Sequence, residues 1–242
     1  MDMEPYDIPP DEERPFATIP DVPHISENYA FYAYDFVKRT GFVAYVGRWV
    51  KNPRVWREQL FIYLPDGSML AHIGIGQAAD GQTPSGGAGR FRYDAEKRRW
   101  HIAFEGAMRH STYAEYSREP IHQGRPQPVR FDAVFDSELP ILMMPPANNT
   151  TFGNSHYEQM GTGVGTFDFG GKHHEFSGPG YRDHSRGPRQ FGALEAHVWL
   201  QLFFPDAPAF SAYHVWVTQD GKAVQVLDKA LSIRPDGFGP AA

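Results

Sequence analysis

The chain contains no cysteine in its 242 residues. This absence excludes a disulfide-stapled fold, a thiolate-ligated zinc or iron–sulfur site, and a cysteine nucleophile. The sequence also lacks an apolar run of the roughly 18 residues that a membrane-spanning helix needs. Its N-terminus is acidic and proline-rich, where a signal peptide would be basic and then apolar. We therefore expect a cytoplasmic protein with no membrane span.

The acidic balance of the chain is confined to its N-terminus. The formal net charge is −6, and residues 1–21 alone carry seven acidic side chains against one basic side chain. The rest of the chain is neutral and offers no basic surface for nucleic acid or for an anionic membrane. We assign residues 1–24 to an acidic, proline-rich arm that is solvated and either drapes over the body or is disordered.

The 24 glycines and 21 prolines argue against long helices, because either residue destabilises a helix interior by about 1 to 3 kcal/mol. Short segments rich in aromatic and β-branched residues instead alternate with turn signals such as Pro65-Asp66-Gly67-Ser68 and Asp220-Gly221. About eight or more such segments follow one another, which is typical of antiparallel sandwiches and barrels. The pattern predicts an all-β protein.

One turn-prone stretch, residues 140–154, has the composition of a connection between two sheets or barrels. We place a boundary there, with a first barrel at residues 25–147 and a second at residues 148–242. Inside the first unit, the glycine-rich residues 79–89 are predicted to form a long hairpin loop.

Two motifs invite cofactor interpretations that the spacing does not support. In Gly161-Thr-Gly163-Val-Gly165 the third glycine comes one residue too early for a dinucleotide-binding fingerprint, and a strand follows. Eleven histidines make a metal site worth weighing. However, His173 and His174 are adjacent and would point to opposite faces of a strand. We predict no metal and no cofactor, and keep a histidine-rich metalloenzyme as the weakest alternative.

The densest polar cluster of the sequence is residues 180–189, which include Asp183, His184, Arg186 and Arg189 between glycines and a proline. Histidine suits proton transfer because its pKa lies near working pH, and an adjacent carboxylate can fix its tautomer. Composition alone leaves two interpretations open: a charged loop at a barrel rim, or an acid–base site in which Asp183 orients His184.

The same region resembles a known family. Residues 156–191 (HYEQMGTGVGTFDFGGKHHEFSGPGYRDHSRGPRQF) resemble the second-half signature of the carotenoid hydratase (hydroxyneurosporene synthase) and AttH-like family. Residues 27–67 resemble that family's opening, with an aromatic strand, a glycine-led strand and an L-P-D-G hairpin. The resemblance implies two lipocalin-like antiparallel β-barrels packed side by side. That fold is also similar to those of kievitone hydratase and the fungal lipocalin-like Diels–Alderases.

The resemblance also implies cofactor-independent acid–base chemistry on a large apolar substrate, in a pocket where the barrels meet. The catalytic candidates that match the family motifs are His184, Asp183, Tyr157 and Glu158. Arg186 stands where the family has tryptophan, and a guanidinium there favours an anionic or carbonyl oxygen over a carbocation.

The large aromatic content predicts an apolar ligand pocket, because alternation sends about half of each strand's side chains into a barrel. The predicted substrate-binding residues are Tyr29, Tyr32, Trp49, Arg186, Arg189, His197 and Trp199.

The leading hypothesis is a hydratase-, dehydratase- or isomerase-type enzyme for a terpenoid, steroid, polyketide or aromatic compound, with His184 as general acid and base. The alternative is a non-catalytic lipocalin-like carrier of the same hydrophobic ligands. The chain is short for two full barrels, so the second barrel is either incomplete or completed by another subunit in a homodimer.

Overall fold

A computed structural model describes residues 8–78, 83–118, 124–136, 139, 141–143, 155–189, 192–204, 207–234 and 237–240. It contains two single-turn helices, α1 (Pro10–Glu13) and α2 (Tyr113–Tyr116). The strands are β1 (Ile25–Asp35), β2 (Thr40–Trp49), β3 (Asn52–Tyr63), β4 (Ser68–Gly76), β5 (Gly89–Asp94), β6 (Arg99–Thr112), β7 (Arg125–Asp136), β8 (Leu142–Met143), β9 (Ser155–Phe169), β10 (Lys172–Pro188), β11 (Leu194–Phe204), β12 (Ala207–Gln219), β13 (Lys222–Arg234) and β14 (Gly237–Pro240). Within these ranges, no helix is both long enough and apolar enough to cross a membrane.

Ten strands form one large antiparallel sheet in the order β10-β1-β2-β3-β4-β6-β7-β9-β8, with β5 paired to β6. Because β9 also pairs with β10, the sheet curls almost into a ring. Hairpin turns join neighbouring strands. The predicted turn at Asp220-Gly221 is present between β12 and β13, and both residues have positive φ angles, of 49° and 72°.

Strand alternation decides which side chains fill this ring. Along β1, Tyr29, Phe31 and Ala33 point into the main apolar core, together with Phe42 of β2 and Trp100 of β6. Each fully buried side chain of this size contributes about 2 to 3 kcal/mol from the removal of apolar surface from water. The intervening residues of β1 face outwards.

The second sheet has four antiparallel strands in the order β11-β12-β13-β14. It packs against the outer surface of the ring, where Ile233 of β13 contacts Met160 and Tyr181, and Trp199 and Tyr32 pack beside them. The all-β prediction is confirmed, as a barrel and a partial barrel packed side by side.

The strands β9 and β10 pair within the large sheet, although the sequence analysis assigned them to the second barrel. The reason is the length of β10: it pairs with β9 over residues 172–186 and with β1 over residues 180–188. The ring is therefore closed by strands from beyond the predicted boundary, and the second sheet begins at Leu194.

The described part of the N-terminal arm lies against the ring, where a few buried side chains anchor it while most of its other described residues are exposed. Glu13 is 2% exposed, and its carboxylate pairs with Arg182 at 2.5 and 3.0 Å while accepting a hydrogen bond from Trp100 Nε1 at 3.2 Å. Ile8 is buried in a cluster with Tyr157. An acidic side chain is tolerated here because Arg182 supplies the opposite charge.

Candidate functional site

Asp183 and His184, the centre of the predicted site, face opposite sides of β10. Successive side chains of a strand alternate, so His184 lies inside the ring while Asp183 faces the second sheet. The predicted orientation of His184 by Asp183 is therefore corrected. Strand alternation, which places His173 and His174 on opposite faces, separates Asp183 from His184 in the same way.

His184 belongs to an inner cluster made of Glu27, Tyr29, Tyr157, His184 and Arg186. The ring of His184 is 0% exposed and stacks on Tyr29 with 4.1 Å between ring centroids. Its Nδ1 shares a hydrogen bond of 2.8 Å with the Tyr157 hydroxyl, and its Nε2 is 3.9 Å from Glu27 Oε1. Burial and the positive charge of Arg186 hold the pKa of His184 well below its usual range, so the imidazole is neutral.

The N-terminal arm occupies the end of the ring next to this inner cluster. Arg186 Nη1 donates to the Glu12 carbonyl oxygen at 2.9 Å, and its guanidinium lies 4.0 Å above the Phe16 ring. The Phe16 amide donates to Glu27 at 3.0 Å, and Arg48 pairs with Glu27 at 2.8 Å. The inner cluster is thus a buried network whose charged members already have protein partners.

A second polar group lies between the two sheets and forms what we call the inter-sheet site: His156, Glu158, Tyr181, Asp183 and Tyr213. The pairing of β9 with β10 places Glu158 directly opposite Asp183, a relation in which Cβ atoms lie about 5 Å apart. Tyr213 comes from β12 of the second sheet. Glu158 is 0% exposed, whereas Asp183 is half-buried.

Glu158 is a protonated carboxylic acid at neutral pH. Burial raises the pKa of Glu158 to about 8, and hydrogen bonds with the Tyr181 and Tyr213 hydroxyls offset part of that rise. His156 Nε2 lies 3.3 Å from Glu158 Oε1, and burial lowers the pKa of His156 to about 4. The proton of this pair therefore stays on the carboxyl group, whose O–H donates a hydrogen bond to the neutral imidazole.

Asp183 has the opposite protonation state. Burial raises the pKa of Asp183 to about 6, and the positive charge of Arg189 opposes part of that rise. At neutral pH the Asp183 side chain is therefore mainly a carboxylate. Two carboxyl groups that face each other across a strand pair, one protonated and one ionised, are an acid and a base at one place.

Aromatic side chains flank this pair. Trp199 Nε1 donates to the Tyr181 hydroxyl at 3.2 Å, and the Trp199 ring meets Tyr32 edge-on with 5.6 Å between centroids. His197 is exposed, and its ring centroid lies 5.0 Å from that of Tyr213. The inter-sheet site is therefore flanked by aromatic side chains, and His197 beside Tyr213 is exposed to solvent.

The structure divides the predicted site residues between the two faces of the ring wall. Those in the inner cluster are Tyr29, Tyr157, His184 and Arg186. Those on the side of the second sheet are Tyr32, Glu158, Asp183, Arg189, His197 and Trp199. Trp49 is 36% exposed at the end of β2 and belongs to neither group.

Sequence reasoning missed His156, Tyr181 and Tyr213. The first two could have been found, because His156 lies two residues from Glu158 and Tyr181 two residues from Asp183, on the same strand faces. Tyr213 gave no such signal, since tertiary packing alone brings it to the site. In the ranges described above, no three histidine or acidic side chains are grouped so that they could hold a metal ion.

The barrel, the partial barrel beside it and the polar site between them define a lipocalin-like double-barrel protein. A Nitrosomonas europaea protein assigned to AttH matches with a TM-score of 0.60 at 11% identity, over 93% of this chain and 73% of that one. Kievitone hydratase from Nectria haematococca matches with a TM-score of 0.51 at 13% identity, over 93% and 69% of the two chains. CghA with Sch210972 matches with a TM-score of 0.53 at 12% identity, and this chain spans 65% of its length. The predicted resemblance is confirmed in fold.

The sequence also defines a family. Residues 9–227 match the domain of unknown function DUF7064, and the chain belongs to that family. No curated protein matches the sequence.

Proposed function

We propose that the protein is a hydratase- or dehydratase-type lyase that acts on a hydrophobic small molecule at the inter-sheet site. The observation that carries this proposal is the pairing of a protonated Glu158 with an ionised Asp183 at neutral pH. Adding or removing water needs a proton donor and a proton acceptor and no redox step, so two carboxyl groups of this kind suffice.

In the dehydration direction, Glu158 donates its proton to the leaving hydroxyl group of the substrate while Asp183 removes a proton from the neighbouring carbon. The carbon–oxygen bond breaks, its electron pair leaves with the water, and the electrons of the carbon–hydrogen bond form the double bond. Loss of the proton from Asp183 to solvent and uptake of one by Glu158 restore the pair. Hydration is the same sequence in reverse.

The surroundings of the pair support the substrate class. The rings of Tyr32, Tyr181 and Trp199 supply apolar surface, as ligand sites for hydrophobic molecules require. Arg189 interacts electrostatically with Asp183 and carries a positive charge that can stabilise developing negative charge on a substrate oxygen. The name of the fold neighbour kievitone hydratase supports the reaction type by analogy.

The test replaces each carboxyl group by its amide. Glu158→Gln and Asp183→Asn should each lower turnover by about a hundredfold or more, measured by mass spectrometry as gain or loss of one water from a panel of hydroxylated terpenoids, steroids, polyketides and phenolics. Glu175→Gln, an exposed position on β10, is the matched control and should leave turnover unchanged. Unchanged turnover in both site variants, or an equal loss in the control, contradicts the proposal.

A non-catalytic carrier of the same ligands is the second candidate, favoured by the aromatic rings of Tyr32, Tyr181 and Trp199, which would suffice for binding alone. A carrier would release every ligand with its mass unchanged, and Glu158→Gln would alter affinity without affecting any product.

A further inference from the structure

The described end of the glycine-rich segment between β4 and β5, residues 83–88, is fixed to the barrel by one buried carboxylate. Glu58 is 2% exposed and accepts hydrogen bonds from the amides of Gly86 at 2.6 Å, Ala88 at 2.9 Å and Gly89 at 3.0 Å. His72 Nε2 lies 3.0 Å from the same carboxylate. Although burial acts to raise it, these hydrogen bonds lower the pKa of Glu58, which is therefore ionised.

The close packing around Glu58 and the bonded amides leaves no room for a Cβ atom at three glycines of this region. A Cβ atom at Gly86 or Gly89 would lie 2.7 or 2.8 Å from Glu58, and one at Gly76 would lie 2.6 Å from the Gly86 carbonyl oxygen. The Phe91 amide also donates to the Pro84 carbonyl at 3.2 Å. The described end of the loop is thus a wall held in one position, which is what a preorganised binding site needs.

A cavity of about 430 Å³ lies between this wall and the outer face of β5, β6 and β7. Strand alternation sends Phe91 and Trp100 into the core and leaves Arg90, Arg92 and His101 on the outside. The volume falls in the range of small-molecule sites, which is about 300 to 1,000 Å³. The other side chains that line the cavity are Gln77, Thr83, Ser85, Ala103 and Asp132.

The cavity carries an excess of positive charge. Across the described ranges, no carboxylate lies within ion-pair distance of Arg90 or Arg92, whereas nearby Arg99 pairs with Asp136 at 2.6 Å. Burial and the charge of Arg92 lower the pKa of His101, so the imidazole is neutral at pH 7. With Asp132 as the one acidic side chain in its lining, the cavity holds two positive charges against one negative.

We propose that this cavity binds a hydroxylated small molecule that carries a phosphate or carboxylate group. Guanidinium groups are forked donors matched to an oxyanion, and Arg90 and Arg92 present two of them from neighbouring outward positions of β5. Ser85, Gln77 and Asp132 can form hydrogen bonds with hydroxyl groups. The cavity is built on β5, β6 and β7, whereas the inter-sheet site is built on β9, β10 and β12, so this site does not rest on the proposed lyase activity.

The test is titration calorimetry of the full chain with glycerol phosphate, malonate and glycerol at constant ionic strength. We expect saturable one-to-one binding of at least one of the two anions and no binding of glycerol; the anion that binds identifies the charged group. Arg90→Gln and Arg92→Gln should each weaken binding at least tenfold, which is about 1.4 kcal/mol. Arg130→Gln, an exposed position on β7 outside the cavity, should leave the affinity unchanged.

Two outcomes would overturn the proposal. One is the absence of saturable binding of either anion at about 10 mM, a concentration that corresponds to an affinity too weak for a specific site. The other is equal weakening by Arg130→Gln, which would indicate a general charge effect. Circular dichroism of each variant should show the wild-type spectrum, because Arg90, Arg92 and Arg130 are all exposed.

Discussion

Two buried glutamates of this protein have opposite protonation states. Glu58 accepts several backbone hydrogen bonds, and its pKa is lowered; Glu158 has fewer donors around it, and burial raises its pKa to about 8. Backbone amides stabilise a carboxylate, and burial that is not fully offset by such donors favours the neutral acid. The difference suits Glu58 to a structural role and Glu158 to the proton-donor role that we propose for it.

The protonation of Glu158 should be visible in stability. The folded-state pKa of about 8 lies above the ordinary value of 4.5, so the folded state binds this proton more tightly than the unfolded chain does. The resulting stabilisation is complete below about 4.5 and is lost as pH rises through about 8, at up to about 1.4 kcal/mol per pH unit. Urea unfolding of the wild type and of Glu158→Gln across this range should give a free-energy difference that changes with pH in this direction. A pH-independent difference would be inconsistent with a protonated Glu158.

His184 is expected to act through packing. Its ring is 0% exposed, stacked on Tyr29 and bonded to Tyr157, so His184→Ala should lower the free energy of unfolding by about 3 kcal/mol through the cavity it leaves. Turnover per folded molecule should persist. A fully folded His184→Ala protein without activity would instead favour the acid–base role that the sequence suggested.

At the scale of the elements, the N-terminal arm completes one end of the ring. The Glu13–Arg182 ion pair joins residues 169 positions apart in the chain, which is why composition could identify the arm as acidic but not the buried ion pair that anchors it. No local sequence pattern indicates an ion-pair partner that far away along the chain. A charged, proline-rich segment also has the composition of a disordered one.

This ion pair gives a second stability prediction. Glu13→Ala leaves the buried Arg182 guanidinium without its main partner and should cost about 3 to 5 kcal/mol, whereas the double variant Glu13→Met with Arg182→Met should recover most of that loss. Urea unfolding of the single and double variants measures both values. If Glu13→Ala has the same urea midpoint of unfolding as the wild type, the arm does not stabilise the ring.

At the scale of the whole molecule, the sequence was sufficient for the all-β class, because alternation and turn chemistry are local. The membership of β9 and β10 in the large sheet was not predictable, since it depends on β1 pairing with a strand about 150 residues later. The residues of the candidate site were likewise predictable only in part. Family motifs identified Glu158 and Asp183, and alternation along β10 was enough to separate Asp183 from His184 and to add Tyr181. Tyr213 comes from the second sheet and reaches the site only when the two sheets are in place.

The central claim is that Glu158 is a neutral acid opposite an ionised Asp183. The most direct measurement is an NMR titration of isotope-labelled glutamate carboxyl carbons, with the Glu158 resonance assigned by its loss in Glu158→Gln. The account predicts a carboxyl group that titrates with a pKa of about 8. A Glu158 resonance that titrates at or below the ordinary value of 4.5 would contradict it.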